Sequence, residues 1–193
     1  MWVICNFISA KIERMGKIKL HDKEFETFIP YTKINETVKK LAKQISDDLK
    51  GEDVLFICIL NGSFMFTAEL FKEIELDQPE VTFLKLSSYD GTDTTGQVKK
   101  LIGLNEPIKG RTLVILEDII DTGITIVEVM NILKEGNPKD VKIATFLLKP
   151  EKFKNKIPID YVGMEIGNDF IVGFGLDYDQ KGRNLKDIYR IVE

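Results

Sequence analysis

Histidine and cysteine are nearly missing from this chain, and their scarcity excludes much metal and nucleophile chemistry. There is one histidine, His21, and two cysteines, Cys5 and Cys58, with no Cys-x-x-Cys pair. Zinc sites and disulfide frameworks need clustered ligands of these types, so neither is expected. A Ser/His or Cys/His pair would have to use His21, which sits in the charged stretch Lys19-Leu20-His21-Asp22-Lys23. An imidazole in such a setting is ordinarily solvated. A basic excess is missing too: 27 Lys and Arg against 31 Asp and Glu leave a net charge of −4. Proteins that live on nucleic-acid phosphates usually carry the opposite balance, so nucleic acid is not an expected partner. Long apolar runs are also absent. Val54 to Leu60 is the longest in the body of the chain, about a third of the ~20 residues a membrane helix needs. The chain reads as soluble, with no membrane partner.

What is present suits one globular domain. At 193 residues, 44% hydrophobic and 30% charged, the chain can bury roughly two-thirds of its unfolded surface. No repeat, linker or low-complexity stretch divides it. Residues 1–14 form an extension of uncertain status before a domain of residues 15–193. The apolar start Met1 to Ala10 has no basic residue before it and meets Lys11 and Glu13 at once, which suits a signal peptide poorly. Either Met15 is the natural start or the extension is genuine.

Periodicity then gives an alternating series. Ile34, Val38, Leu41, Ile45 and Leu49 fall at helical spacing, with Thr32 expected as N-cap and Gly51 as the stop. Val54–Leu60 is apolar throughout, as in a strand buried on both faces. A helix over Phe64–Ile74 and a strand over Val81–Leu86 follow. Ser87 to Lys100 is rich in Gly, Thr, Ser and Asp, and a structureless stretch of that length is usually functional, often a lid. Leu113–Leu116 is expected as a strand, Ile124–Leu133 as a helix and Val141–Leu148 as a strand. Shorter strands are expected at Tyr161–Ile166, Ile171–Phe174 and Tyr189–Val192. This succession implies an α/β fold, a mainly parallel twisted sheet flanked by helices. Ligands of such sheets bind beyond the carboxyl ends of the strands. The informative clusters lie there: Asn61-Gly62-Ser63, Glu117-Asp118 through Thr125, and Lys149.

The strongest signal is Leu113-Val114-Ile115-Leu116-Glu117-Asp118-Ile119-Ile120-Asp121-Thr122-Gly123-Ile124-Thr125. A buried strand ends in two carboxylates, and Asp-Thr-Gly-x-Thr then opens a helix. Gly123 permits close backbone approach, while helix-start amides and the Thr122 and Thr125 hydroxyls converge on an anion. The adjacent carboxylates would bind ribose hydroxyls or position a magnesium ion carried by phosphates. The plainer alternative is a helix cap at Asp121 or Thr122 beside a solvated strand end.

This run resembles that of the phosphoribosyltransferases that bind phosphoribosyl pyrophosphate, and more narrowly the hypoxanthine (hypoxanthine-guanine) phosphoribosyltransferases of purine salvage. The resemblance spans roughly Ile18 to Val192. It includes Leu60-Asn61-Gly62-Ser63-Phe64, Leu86-Ser87-Ser88-Tyr89, the acidic run, Leu148-Lys149 and Leu176-Asp177-Tyr178. It implies the type I phosphoribosyltransferase fold with a small hood and a flexible lid. It also implies transfer of a ribose phosphate to hypoxanthine, and to guanine, with Mg2+ as cofactor, in a cytoplasmic homodimer or homotetramer.

By the same resemblance, Glu117 and Asp118 hold the ribose hydroxyls and Asp121, Thr122, Gly123, Ile124 and Thr125 receive the ribose phosphate. Asp121 lies beside the imidazole part of the purine as the acid/base group. Leu60, Asn61 and Gly62 form a pyrophosphate loop, where relatives often have a cis non-proline peptide, and Arg183 meets pyrophosphate. Lys149, Phe170, Ile171 and Asp177 attend the purine, with Phe170 stacking on its face and Lys149 donating to its six-position oxygen. Asp177, Glu117 and Asp118 are the implied magnesium-side carboxylates, and Ser88 and Tyr89 the root of the lid. Two positions depart from the pattern. Gly182 stands before Arg183 where relatives often have an aromatic residue, and Ile124 replaces the lysine of some relatives.

Two other readings remain at this stage. Asp121-Thr122-Gly123 is also the aspartic-protease triplet, although a helical pattern follows it here. A nucleotide-sensing regulator on the same fold is the non-enzymatic alternative.

Overall fold

The structure is a computed structural model that describes residues 16–87 and 99–192. In chain order its elements are β1 (Lys17–Leu20), β2 (Lys23–Ile29), α1 (Tyr31–Asp48), β3 (Val54–Leu60), α2 (Phe64–Glu73), β4 (Glu80–Ser87) and β5 (Lys99–Ile102). There follow β6 (Thr112–Ile120), α3 (Ile124–Lys134), β7 (Asp140–Leu148), β8 (Tyr161–Glu165), β9 (Ile171–Val172) and β10 (Ile188–Ile191).

The six-stranded sheet runs β5-β4-β3-β6-β7-β8, with β5 antiparallel at its edge and the other neighbours parallel. Alternate residues of the central strands serve two cores, as a pleated strand requires. Phe56, Val114 and Leu116 face α1 and α2, where Ile34, Val38, Leu41, Ile45, Phe66 and Leu70 pack. Leu55, Ile57, Leu113 and Ile115 face α3 through Ile126, Val129 and Leu133. That double burial is why β3 reads as an unbroken apolar run. A second, four-stranded antiparallel sheet, β1-β2-β10-β9, forms the hood.

From the β3/β6 pair the strand order runs outward in both directions, so a crevice opens at their carboxyl ends. Pairing of β3 with β6 stops at Cys58↔Leu116, whereas β6 stays paired with β7 as far as Ile120↔Leu148. Glu117 and Asp118 therefore lie within β6 rather than after a strand ending at Leu116. They sit on the stretch where β3 has left its neighbour.

Other boundaries also differ from the sequence reading. Helix α1 starts at Tyr31 with Pro30, not Thr32, at the N-cap position. Proline cannot cap with its side chain, and the Tyr31 amide instead donates to Asp187 Oδ1 of the hood at 2.7 Å. Gly51, at φ +83°, turns the chain just past the helix end. The stretch from Ser87 to Lys100 is not loop at its ends, because the β4 and β5 backbones pair through Ser87↔Lys99 and Leu86↔Lys100. Ser88, Tyr89 and the extension 1–14 lie outside the described residues. Strands β1 and β2 were not expected: their short, half-exposed pattern carries little periodic signal. His21 lies in the turn between them, with Nε2 3.2 Å from the Asp179 carbonyl oxygen, exposed as anticipated.

Candidate active site

The crevice is a cleft of about 310 Å³. Leu60, Asn61 and Gly62 line it from the end of β3, Glu117 and Asp118 from β6, and Ile124 and Thr125 from the start of α3. Burial governs its electrostatics. Glu117 is 6% and Asp118 9% exposed. Removal from water, and secondarily the Asp118 charge, hold the Glu117 carboxyl well above the usual range. Burial likewise pushes Asp118 up to about 6, although the Ile119 amide and the Arg183 charge favour its ionised form. That amide donates to Asp118 Oδ1 at 2.9 Å.

Gly62 is the one residue type this packing tolerates, since a Cβ there would fall inside the Asp118 carboxylate. The Leu60–Asn61 peptide is cis. Ser63 Oγ donates to the Ile59 carbonyl at 2.6 Å and ties the loop to its strand. Cys58, buried in that strand, has its thiol pushed up by burial, which makes it no nucleophile.

Gly123 enters α3 at φ +80°, a conformation in which glycine carries no steric penalty. The first amides of a helix have no intrahelical partners, so this turn presents N–H groups to an anion. Ile124 is 63% exposed at its tip. The turn is backed by the segment after β7: a Cβ on Gly123 would run into the Phe153 ring. Asn155 Nδ2 donates to the Thr122 carbonyl at 3.0 Å.

Beside the turn stands Asp121. Its Oδ2 accepts from Lys149 Nζ at 3.3 Å and from Lys152 Nζ at 3.1 Å, while its Oδ1 is buried with no hydrogen-bond partner among the described residues. Lys149, itself 6% exposed, also donates to the Asp169 carbonyl at 3.0 Å. Phe170, 45% exposed, is the large apolar side chain open next to this group. Tyr178 meets it edge-on, with ring centroids 5.8 Å apart, and Phe25 lies beneath both. Ile171 is buried in β9.

Asp177 and Arg183 find each other. Nη2 of Arg183 lies 2.7 Å from Asp177 Oδ1, and Gln180 N–H donates to Oδ2 at 2.8 Å. Gly182 has φ +97°, which an aromatic residue there would adopt only under strain. The departure from the expected pattern thus sets the loop's path.

The structure brings the sequence candidates together in three groups: the cleft residues, the Asp121–Lys149 pair near Phe170 and Ile171, and the Asp177–Arg183 pair. Sequence reasoning missed Lys152, Phe153, Asn155 and the Asp169 carbonyl, and gave Tyr178 no role of its own. Lys152 had no usable signal, because the turn that carries it to Asp121 is set by backbone bonds to the Lys149 carbonyl. Phe25 beneath Phe170 had none, because that contact crosses most of the chain.

Among the described residues no group of three or more His, Cys, Asp or Glu side chains is placed to hold a metal by itself. Glu117 and Asp118, buried side by side with hard oxygen ligands, fit a divalent cation that brings further oxygens with it. Asp177 fits once Arg183 has another anion.

The chain matches the family described as "Phosphoribosyl transferase domain" over residues 30–179. It is 39% identical over 170 residues to the hypoxanthine phosphoribosyltransferase of Escherichia coli K12, covering 86% of this chain and 95% of that protein. To the hypoxanthine-guanine phosphoribosyltransferase of Streptococcus thermophilus it is 44% identical over 148 residues, covering 76% and 82%. The crystal structure of a hypoxanthine-guanine phosphoribosyltransferase from Bacillus anthracis superposes with a TM-score of 0.80 at 38% identity, covering 92% of this chain and 99% of that one.

Proposed function

The chain belongs to the phosphoribosyltransferase family, and from that premise we propose that it is a purine-salvage enzyme. It transfers the 5-phosphoribosyl group of phosphoribosyl pyrophosphate to hypoxanthine, and to guanine, releasing IMP or GMP and pyrophosphate. One observation carries the base assignment: a buried Lys149 ammonium held beside Asp121, next to the anion-binding turn. The aspartic-protease reading has no support, because Asp121-Thr122-Gly123 joins β6 to α3 in a parallel α/β sheet.

The ribose phosphate sits on Asp121 to Thr125 at the helix start. Glu117 and Asp118 accept from the ribose hydroxyls, donors that favour carboxylates burial has disfavoured. Leu60, Asn61 and Gly62 receive the pyrophosphate, and Arg183 exchanges Asp177 for it. Breaking the bond from the anomeric carbon to pyrophosphate leaves an oxocarbenium-like centre, which the nearby carboxylates stabilise. The purine ring nitrogen attacks that centre. Asp121 Oδ1, which has no hydrogen-bond partner among the described residues, accepts the imidazole proton.

Lys149 donates to the six-position oxygen, Phe170 stacks on the ring, and Ile171 and Asp177 line the base. Glu117, Asp118 and Asp177 would hold Mg2+ together with the substrate, and the ion would supply charge neutralisation for the departing pyrophosphate. Ser88 and Tyr89, which lie outside the described residues, are assigned in this reading to the exclusion of water. Residues 15–193 are the catalytic unit. It works as a homodimer or homotetramer in the cytoplasm, and no helix among the described residues is long and apolar enough to cross a membrane.

The test is pyrophosphate release with phosphoribosyl pyrophosphate, magnesium and a panel of hypoxanthine, guanine, xanthine, adenine and uracil. Hypoxanthine and guanine are turned over, adenine and uracil negligibly. Adenine turnover comparable with hypoxanthine overturns the assignment.

A further inference from the structure

Among the described residues, Lys152 is the one bonded to Asp121 that the proposed reaction does not use. It follows Lys149 in a single turn: the Lys152 and Phe153 amides donate to the Lys149 carbonyl at 3.1 and 3.0 Å. That turn delivers both ammonium groups to the same carboxylate oxygen, Lys152 at 3.1 Å and Lys149 at 3.3 Å. Its position is fixed from the other side, where Phe153 packs on Gly123 and Asn155 holds the Thr122 carbonyl.

An ammonium has three donors. Lys149 already divides them between Asp121 and the Asp169 carbonyl, and in the proposed reaction it must also serve the purine oxygen. Its contact with Asp121 is the longer of the two. A second cation on Oδ2 keeps the carboxylate oriented and its buried Oδ1 available.

We propose that Lys152 is a positioning residue for the base half of the reaction: it anchors Asp121 through Oδ2 so that Lys149 can turn its donors to the purine. This rests on the roles given above to Asp121 and Lys149, and extends them to a side chain outside the recognised motifs. Without Lys152, Lys149 is the only ammonium left on the carboxylate among the described residues and is drawn away from the base.

Lys152 is 42% exposed, and ion pairs so exposed add little stability. A merely structural pair would therefore leave kinetics untouched. The experiment compares Lys152→Met and Lys152→Arg with the wild-type chain in steady-state kinetics, varying hypoxanthine and phosphoribosyl pyrophosphate separately. Lys152→Met is expected to raise KM for hypoxanthine by about fivefold, the upper range of an exposed pair, with KM for phosphoribosyl pyrophosphate and the thermal midpoint unchanged. Lys152→Arg restores most of the loss. Hypoxanthine KM in Lys152→Met within about twofold of wild type, an equal rise for both substrates, or an arginine variant as impaired as the methionine one overturns the proposal. A wild-type chain that transfers to no oxopurine overturns the reading of the site and this proposal together. An active wild type with an unaffected Lys152→Met variant overturns this proposal alone.

Discussion

Replacing Asp118 with asparagine should make the ligand-free protein more stable at neutral pH while weakening its grip on phosphoribosyl pyrophosphate. Asparagine has nearly the same shape against Gly62 and keeps an oxygen for the Ile119 amide, so the change removes charge and little else. In the folded chain burial raises the Asp118 carboxyl from the ordinary 3.8 to about 6. Between those values the folded protein holds more protons than the unfolded one, so wild-type stability falls as pH rises through the window. Above it the penalty is complete, at most about 3 kcal/mol. For a chain of this size that corresponds to a midpoint higher by up to about 10 °C in Asp118→Asn. Loss of the Asp118 charge also relieves Glu117, in the same direction. Thermal unfolding of both proteins by circular dichroism from pH 3 to pH 8, without ligand, reads the gap. It should be near zero at the acid end and fully open at neutrality. A variant no more stable than wild type at neutral pH, or a gap of constant size across the range, refutes the argument that burial destabilises this carboxylate.

Other outcomes follow from the same geometry. Asp121→Asn should lower kcat by at least ~100-fold, the scale of a lost acid/base group, with phosphoribosyl pyrophosphate binding retained by calorimetry. Gly62→Ala places a methyl group where the Asp118 carboxylate lies; phosphoribosyl pyrophosphate affinity should fall at least ~10-fold, as expected when a close-packed contact is overfilled by 1–3 kcal/mol. Lys149→Met should damage use of hypoxanthine and guanine while phosphoribosyl pyrophosphate still binds. The wild-type enzyme should reject adenine by ~10⁴ or more in kcat/KM, because its amino group leaves the lysine donor unpaired.

How much of this was legible beforehand depends on how local the cause is. The apolar run Val54–Leu60 and the spacing of Ile34 to Leu49 record burial residue by residue; β3 formed where expected and α1 covers that spacing. The acidic run and the Asp-Thr-Gly-x-Thr turn were legible as a site because helix-start chemistry is local. That Glu117 and Asp118 belong inside β6 was not legible, since it depends on where β3 stops pairing. The start of α1 was misplaced for a similar reason: the group that takes the Tyr31 amide is Asp187, brought there by the hood. Strands β1 and β2 are defined by partners rather than by pattern. The lysine pair on Asp121 needed the turn after β7, whose carbonyl bonds are invisible in composition.

The hood joins segments far apart in the chain: Arg190 of β10 holds Glu26 of β2 at a separation of 164 positions. On a ribosome adding about 5–20 residues per second, β2 waits on the order of ten seconds for its second neighbour. The parallel sheet that carries the carboxylates has its strands by then, since β8 ends at Glu165. Phe170, Asp177 and Arg183 are synthesised after it. The half of the cleft that would take the sugar phosphate can therefore assemble on the nascent chain before the half that would read the base. The start of α1 keeps an unfilled amide until Asp187 emerges to close it.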